Sequence, residues 1–346
     1  MLTSATRVLK QFCRLLALCT LSLATTSQAN ESIGHTQVAT WKDNRTAAFM
    51  LMFDDGWPGQ LQVGVPALQE RQLTATFYMV PDKGEYKQIA AKWAEAIQGG
   101  YIIYGNHTMT HGGVRDYQHA QTEIKECTRI IREELQPIPG KPKRLISFAQ
   151  PGVKKGKWTL PKEDLIRVLE EDNMIRRPTF RDHGAVYHLQ ELEEMTALAE
   201  KAIATQGTEY LILHGVERIG AKWQDFWALK QDIFFPLLDD LAEKQAANEL
   251  WVTDHISWHQ YKTEREAATV EVLNANESKI ELKLSADVDP ELYDLPLTLI
   301  TKVPSSWKQC HITQGESKWL ASAEDGELTF DALPNGPQIQ ITPVKL

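Results

Sequence analysis

The run Ala47–Phe53 is seven consecutive apolar residues, and it limits the fold more than any other feature of the chain. A strand with one wet face alternates apolar and polar residues. An unbroken run of this length implies burial on both faces, as in a parallel sheet covered by helices. The surrounding pattern agrees. Thr74–Val80, Tyr101–Tyr104, Leu145–Ala149, Tyr210–Leu213 and Trp251–Thr253 read as further strands. Between them, Pro66–Gln72, Lys87–Gln98, a long helix from an Asp116 cap to Leu135, Asp164–Glu171, Glu191–Ala204 and Phe226–Ala247 read as helices. Gly99-Gly100 stops the second of these, and Pro236 kinks the last. Strand and helix alternating about seven times predict an α/β fold of parallel β/α architecture, closed or nearly closed.

The pattern changes after Glu266. Thr269–Leu273, Ile280–Leu284, Leu297–Thr301, Gln309–Ile312, Leu328–Phe330 and Gln338–Ile341 are short strand-like runs, separated by turn residues such as Pro334-Asn335-Gly336. They predict a small all-β, sandwich-like domain. At the other end, Arg7, Lys10 and Arg14 precede an apolar run from Leu15 to Ala24 and then Ser27-Gln28-Ala29. That is the pattern of a cleavable export signal, too short for a membrane span. The expected organisation is a signal at residues 1–29, a barrel domain at 30–265 and a β domain at 266–346.

Removing the signal takes the net charge from −9 to −12, because the segment carries three basic and no acidic residues. An acidic exported protein is expected in the periplasm or outside the cell. It has no electrostatic case for nucleic acid or anionic membrane, and no membrane span is expected in the mature form. Cys127 and Cys310 lie far apart in the chain, and Cys127 fits the apolar face of a helix as a buried free thiol.

In a parallel α/β protein the chemistry gathers just past the C-terminal ends of the strands. Here the first strand ends in Asp54-Asp55-Gly56, the third runs into His107-Thr108-Met109-Thr110-His111, and a later one ends in Leu213-His214. Two histidines four apart on a helical turn can share a metal, and one carboxylate completes a facial set of three with positions open for water and substrate. The other carboxylate is then free to take a proton, and His214 to deliver one, which together suffice to hydrolyse an amide or ester. Asp-Asp-Gly alone is often only a turn. The case rests on the whole set at successive strand ends.

Met52-Phe53-Asp54-Asp55-Gly56, Ala75-Thr76-Phe77-Tyr78, Gly105-Asn106-His107-Thr108-Met109-Thr110-His111 and Leu211-Ile212-Leu213-His214 resemble the motifs of the polysaccharide deacetylases, carbohydrate esterase family 4. The resemblance spans residues 40–262 and implies a distorted (β/α)7-type barrel, a zinc or similar divalent ion (Co2+, Ni2+ or Mn2+) and an acetylated carbohydrate substrate. It implies Asp54 as general base, Asp55, His107 and His111 as metal ligands, and His214 as general acid. Leu211 or Leu213 would line a pocket for the acetyl methyl group, and the N–H of Gly152 is a candidate oxyanion donor. Two departures stand out. The family's third motif begins with an arginine that orients the base, where this chain has Ala149; Gln150 or a distant arginine would have to compensate. The aspartate–tryptophan motif that tunes the acid is not recognisable, which leaves Asp182 to orient His214. Trp57, Trp158, Trp223, Trp227 and Trp258 fall near loop positions, where exposed rings stack on sugars. The alternatives are a metal-dependent amidohydrolase acting on a small cyclic amide and a degenerate glycan-binding protein.

Overall fold

The strand Ala47–Asp54 shows why its sequence is apolar throughout. Ala47, Phe49, Leu51 and Phe53 belong to the core beneath the helices, whereas Met50 and Met52 belong to a second cluster with Tyr78, Ala149, Tyr210 and Ile212 inside the barrel. Successive side chains point to opposite faces, and both faces are dry. In the computed structural model, which describes residues 32–141, 143–178 and 189–344, the barrel strands pair in parallel throughout. The expected signal at 1–29 and Asp182 lie outside the described residues.

In chain order the elements are β1 (Thr36–Val38), β2 (Ala47–Asp54), α1 (Val65–Arg71), β3 (Ala75–Met79), α2 (Gly84–Ala96) and β4 (Ile102–Asn106). A helical run over residues 117–135 follows, containing α3 (Tyr117–Ala120) and α4 (Glu126–Ile130), then β5 (Ile146–Phe148), α5 (Lys162–Glu171) and β6 (Met174–Arg176). After these come α6 (Leu192–Thr205), β7 (Thr208–Leu213), α7 (Gln231–Ala246), β8 (Leu250–Thr253) and α8 (His255–Ala267). The parallel sheet runs β6-β5-β4-β3-β2-β7, with β8 also paired to β2. Seven parallel strands with helices outside form the distorted barrel expected. Asp116 caps the 117–135 run, its side chain accepting from His119 N–H at 2.8 Å, and so supplies one of the bonds that the first turn of a helix lacks.

The remaining strands are β9 (Ala268–Ala275), β10 (Ile280–Ala286), β11 (Leu297–Lys302), β12 (Gln309–Gln314), β13 (Ser317–Glu324), β14 (Glu327–Ala332) and β15 (Ile339–Pro343). They form an antiparallel sheet in the order β1-β11-β14-β13-β12-β15-β10-β9. β13 pairs with β12 along most of its length and with β14 at its end, so the sheet folds over there and encloses a core of its own. β10 alternates buried and half-buried residues along its length, as a one-sided strand should. The N-terminal strand departs from the expected division at residue 30. Thr36–Val38 pairs with β11, through Thr36↔Thr301 and Val38↔Leu299, and so belongs to the β domain. Three residues are too few to show a period, which is why sequence placed them with the barrel.

The two domains share buried residues. Trp41, Ala48, Trp251 and Tyr261 pack with Ile280, Leu282, Leu299 and Phe330. Polar ties surround this core. Gln260 on α8 donates to Leu292 O at 2.7 Å, Leu295 N–H donates to Glu264 at 3.1 Å, and Lys141 pairs with Asp294 at 2.5 Å. Cys127 and Cys310 are both buried free thiols. Among the described residues, no helix is long and apolar enough to cross a membrane.

A buried polar chain crosses the barrel interior beneath the strand ends. Tyr78 Oη lies 2.7 Å from Ser147 Oγ, which lies 2.7 Å from His255 Nδ1. Burial pushes the His255 imidazole down to about 3, with the charges of His259 and Arg177 acting in the same direction. The unfolded chain takes up this proton near pH 6.5 and the folded protein only near pH 3. Stability present above pH 6.5 is therefore lost as pH falls through that window. Denaturation midpoints measured from pH 7 to pH 4 are expected to fall less steeply in His255→Asn than in the unsubstituted protein; equal slopes would mean His255 is not neutral in the fold.

Candidate functional site

Alternation along the strands assigns the site its members. On β2 the inward positions are Met50, Met52 and then Asp54; on β7 they are Tyr210, Ile212 and then His214. On β4 and β5, Ile102, Tyr104, Ile146 and Phe148 face the helices, so the opposite phase brings His107 and Ala149 inward. On β6, Met174 faces the helices, and Arg177 follows in the inward phase. Five strand ends thus contribute one upper layer of the barrel. Asp54, Asp55, His107, His111, Gly152, Arg177 and His214 line a single cleft of about 280 Å³, walled on one side by Phe226 and Trp227.

Asp54 is 2% exposed and forms a two-pronged ion pair with Arg177, Nη1–Oδ1 at 2.5 Å and Nη2–Oδ2 at 2.9 Å. Burial would raise its pKa, but the Arg177 charge overrides it and holds the carboxyl below the usual carboxylate range. Arg177 also lies over the Tyr78 ring, 4.7 Å from its centroid. Here is the distant arginine that Ala149 makes necessary. Arg177 reaches Asp54 from the end of β6, where its backbone N–H also donates to Phe148 O at 3.0 Å. Sequence reading missed Arg177 because β6 is only three residues long. The available signal was Met174-Ile175-Arg176-Arg177, one apolar step before a pair of arginines at a strand end.

The two oxygens of Asp55 have different surroundings. Oδ2 accepts from Trp57 Nε1 at 3.0 Å and faces Lys83 Nζ at 3.3 Å, with the ammonium 4.4 Å from the Trp57 ring centre. Oδ1 is buried without a hydrogen-bond partner, and lies 3.8 Å from His107 Nε2 and 3.5 Å from His111 Nε2. A buried carboxylate oxygen facing two imidazole nitrogens is costly without a cation between them. These three residues are also the group among those described whose ligand atoms converge within 4.8 Å as a possible metal site. The donor set fits a divalent ion such as zinc, with positions left for water and substrate. His107 Nδ1 lies 2.8 Å from Ala149 O, which fixes the proton there and leaves Nε2 as the free donor. Burial pushes the His107 imidazole down to about 4 despite the neighbouring Asp54 and Asp55 charges, so it is neutral as a ligand must be.

The histidines do not sit on a helical turn, as their spacing suggested. Residues 107–111 form a loop with left-handed backbone at Thr108 (φ +66°) and His111 (φ +59°). Asn106 holds its start, accepting from Thr108 N–H at 2.9 Å and donating to Ile124 O and Thr128. Glu123 receives Thr110 N–H and Oγ1 further on. Asp55 is likewise left-handed, at φ +80°. Strain of this kind, about 1–3 kcal/mol per residue, persists only where surrounding bonds over-determine it. Gln60 supplies one such brace, donating to both Asp54 O at 2.6 Å and His214 O at 2.5 Å.

His214 meets Phe226 and Trp227 edge-on, 5.7 and 5.1 Å between ring centres. Burial lowers its pKa, opposed by the charges of Asp54 and Asp55. The predicted helix from Phe226 begins only at Gln231, because Trp227 takes a left-handed φ of +45° and Leu229 N–H turns back to Gly215 O. Leu211 and Leu213 do not line the cleft. Both are buried in the core beneath the helices, and strand alternation gives the inward positions to Ile212 and His214. Trp223 lies outside the cleft as well, on a neighbouring hollow. Gly152 and Gln150 are on the cleft wall.

Replacing Arg177 by Met leaves Asp54 buried and unpaired. The loss expected is about 3–5 kcal/mol in chemical denaturation, with Arg177→Lys recovering only part because an ammonium cannot make two parallel bonds. Most of the loss should return in the double variant Arg177→Met/Asp54→Asn. A single variant as stable as the parent would show that the pair is not buried.

Residues 42–158, about a third of the chain, match the family model described as polysaccharide deacetylase. The chain is 22% identical over 338 residues to a gellan lyase from a Bacillus species; the match takes in 90% of this chain and 13% of that protein, so the chain spans about an eighth of that relative. Similar solved structures include a family 4 carbohydrate esterase from Streptomyces lividans in complex with acetate, with 18% identity, coverage of 59% of this chain and 91% of that one, and a TM-score of 0.38. A peptidoglycan deacetylase from Bacillus subtilis gives 15%, 64% and 94%, and 0.36. A CE4 family pseudoenzyme from Bacillus anthracis gives 11%, 61% and 64%, and 0.41. The matched segment carries Asp54, Asp55, His107 and His111, which the fold brings to one cleft at the ends of parallel strands.

Proposed function

We propose that this chain is a divalent-metal-dependent hydrolase that removes acetyl groups from a carbohydrate. The observation that carries the reading is the asymmetry of Asp55: one oxygen saturated by Trp57 and Lys83, the other buried without a hydrogen-bond partner and facing His107 and His111. A divalent ion held by these three residues, zinc by preference for a donor set of two nitrogens and one oxygen, supplies polarisation of the acyl carbonyl and lowers the pKa of a water.

The chain's own groups do the rest. Asp54 is kept ionised by Arg177 and accepts the proton of the attacking water on Oδ2, the oxygen that lies 3.8 Å from His107 Nε2. His214 enters the cleft from β7 and delivers a proton to the departing sugar nitrogen or oxygen. Phe226 and Trp227 give the cleft an apolar wall for the acetyl methyl group, the part first assigned to Leu211 or Leu213. The Gly152 N–H is the oxyanion donor in this scheme. Arg177 supplies the charge that Ala149 lacks, which removes the reason for reading the domain as a degenerate binder. The basic–apolar N-terminal pattern supports export to the periplasm or beyond, where a polymeric carbohydrate is a natural substrate.

The test is acetate release from acetylxylan, chitin oligomers, peptidoglycan and partly acetylated glucosamine polymers by zinc-loaded and chelated protein. Metal-dependent acetate from any of these is expected; none, with zinc bound and the fold intact, overturns the reading. Asp55→Ala is expected to lose zinc binding in a direct titration. Asp54→Asn should retain zinc while turnover falls about 10²–10⁴-fold. Full turnover in that variant would remove Asp54 as the base.

A further inference from the structure

Lys83 reaches a residue of the candidate metal site without lining the cleft. Its Nζ lies 3.3 Å from Asp55 Oδ2, the oxygen that also accepts from Trp57 Nε1 at 3.0 Å, while Oδ1 faces His107 and His111. The side chain is 25% exposed, with its ammonium 4.4 Å from the centre of the Trp57 ring. It therefore approaches the carboxylate from behind, across an aromatic face rather than through open water.

The backbone fixes this approach. The end of β3 is a common support for the site: Asp55 N–H donates to Tyr78 O at 2.9 Å, His107 N–H to Met79 O at 3.1 Å, and Asp82 N–H to Met109 O at 2.8 Å. Lys83 N–H closes the turn onto Val80 O at 3.1 Å, and α2 starts at the next residue. The lysine thus hangs from a backbone bonded directly to the segments that carry Asp55, His107 and His111. Asp82, the acid beside it, is paired with Lys87, so the charge of Lys83 is turned on Asp55.

A fixed ammonium on one oxygen of a carboxylate draws electron density away from the other. Like charges on either side of a buried carboxylate also repel with little screening. Both effects loosen the hold of Asp55 on a cation at Oδ1, and both leave that cation more of its own charge, the property that polarises a carbonyl. We infer that Lys83 tunes the metal site, its charge lowering the affinity for a divalent ion and keeping that ion a strong Lewis acid. Lys83 acts through Asp55 and touches no reacting group itself. The inference rests on the metal-dependent reading of the site and adds to it a residue that sets affinity against reactivity.

The test is zinc affinity, measured by competition with a chromogenic chelator, in the unsubstituted protein and in Lys83→Met, Lys83→Gln and Lys83→Arg. Trp57 still orients Asp55 in all of them. The two uncharged variants are expected to bind zinc about tenfold more tightly, the size of effect typical of groups that hold a metal ligand. Lys83→Arg should stay near the native value. Lys87→Met, which removes a lysine that is 60% exposed, should change affinity by less than about twofold, because water and salt screen its charge. On a chromogenic acetyl ester, kcat of zinc-loaded Lys83→Met should fall severalfold while KM holds. Equal or weaker zinc binding by both uncharged variants overturns the inference, as does equal tightening in Lys87→Met. An unsubstituted protein that binds no zinc overturns the metal reading and the inference together. The expected affinity shifts without acetate release from any substrate count against the deacetylase reading alone.

Discussion

Two consecutive carboxylates, 2% and 5% exposed, are tolerable at a strand end only because each faces a fixed cation. An isolated buried carboxylate would be neutralised by protonation. Arg177 prevents that for Asp54 with two short bonds, and Lys83 balances Asp55 from the other side. Much of the upper barrel follows from this requirement. Tyr78 must present a ring beneath the guanidinium, and its hydroxyl must then find Ser147, which finds His255. A single ion pair thus sets side-chain choices on five elements.

The second dependence is on backbone held against its preference. Asp55, Thr108 and His111 all adopt left-handed φ without being glycine. Their braces come from residues that carry no chemistry: Gln60 between Asp54 and His214, Asn106 at the start of the histidine loop, Glu123 beneath its middle. All three braces are buried polar side chains, costly to bury unless their bonds are made. They are made to site backbone, so the stability of the braces and the geometry of the site are one matter.

Much of this was legible in sequence, and what was not has physical causes. The apolar run 47–53 and the alternation behind it disclosed the parallel barrel, because burial on both faces leaves an unmistakable composition. That Asp54, Asp55, His107, His111 and His214 gather at one rim was legible for the same reason: strand ends are easily found when strands are long. Arg177 was not, since β6 has three residues and no period. The histidine loop was mistaken for a helical turn because spacing of four residues is shared by a helix and a tight loop. β13 escaped because its residues alternate exposed and half-buried, with Leu320 on the outside. Residues 36–38 were placed in the wrong domain because pairing across 265 residues, as between Thr36 and Thr301, leaves no local trace.

The charges of the site also indicate what would hold a cation there. Asp54 and Arg177 cancel, Asp55 and Lys83 cancel, and His107 is neutral above pH 4. The net charge of these groups is therefore close to zero, and the attraction for a cation is local: Oδ1 of Asp55 and the two Nε2 atoms would hold it, their positions set by Trp57, Ala149 O and the strained loop. That division has a functional consequence. Three aimed donors select a cation by geometry rather than by charge alone, and Arg177 keeps Asp54 ionised beside them.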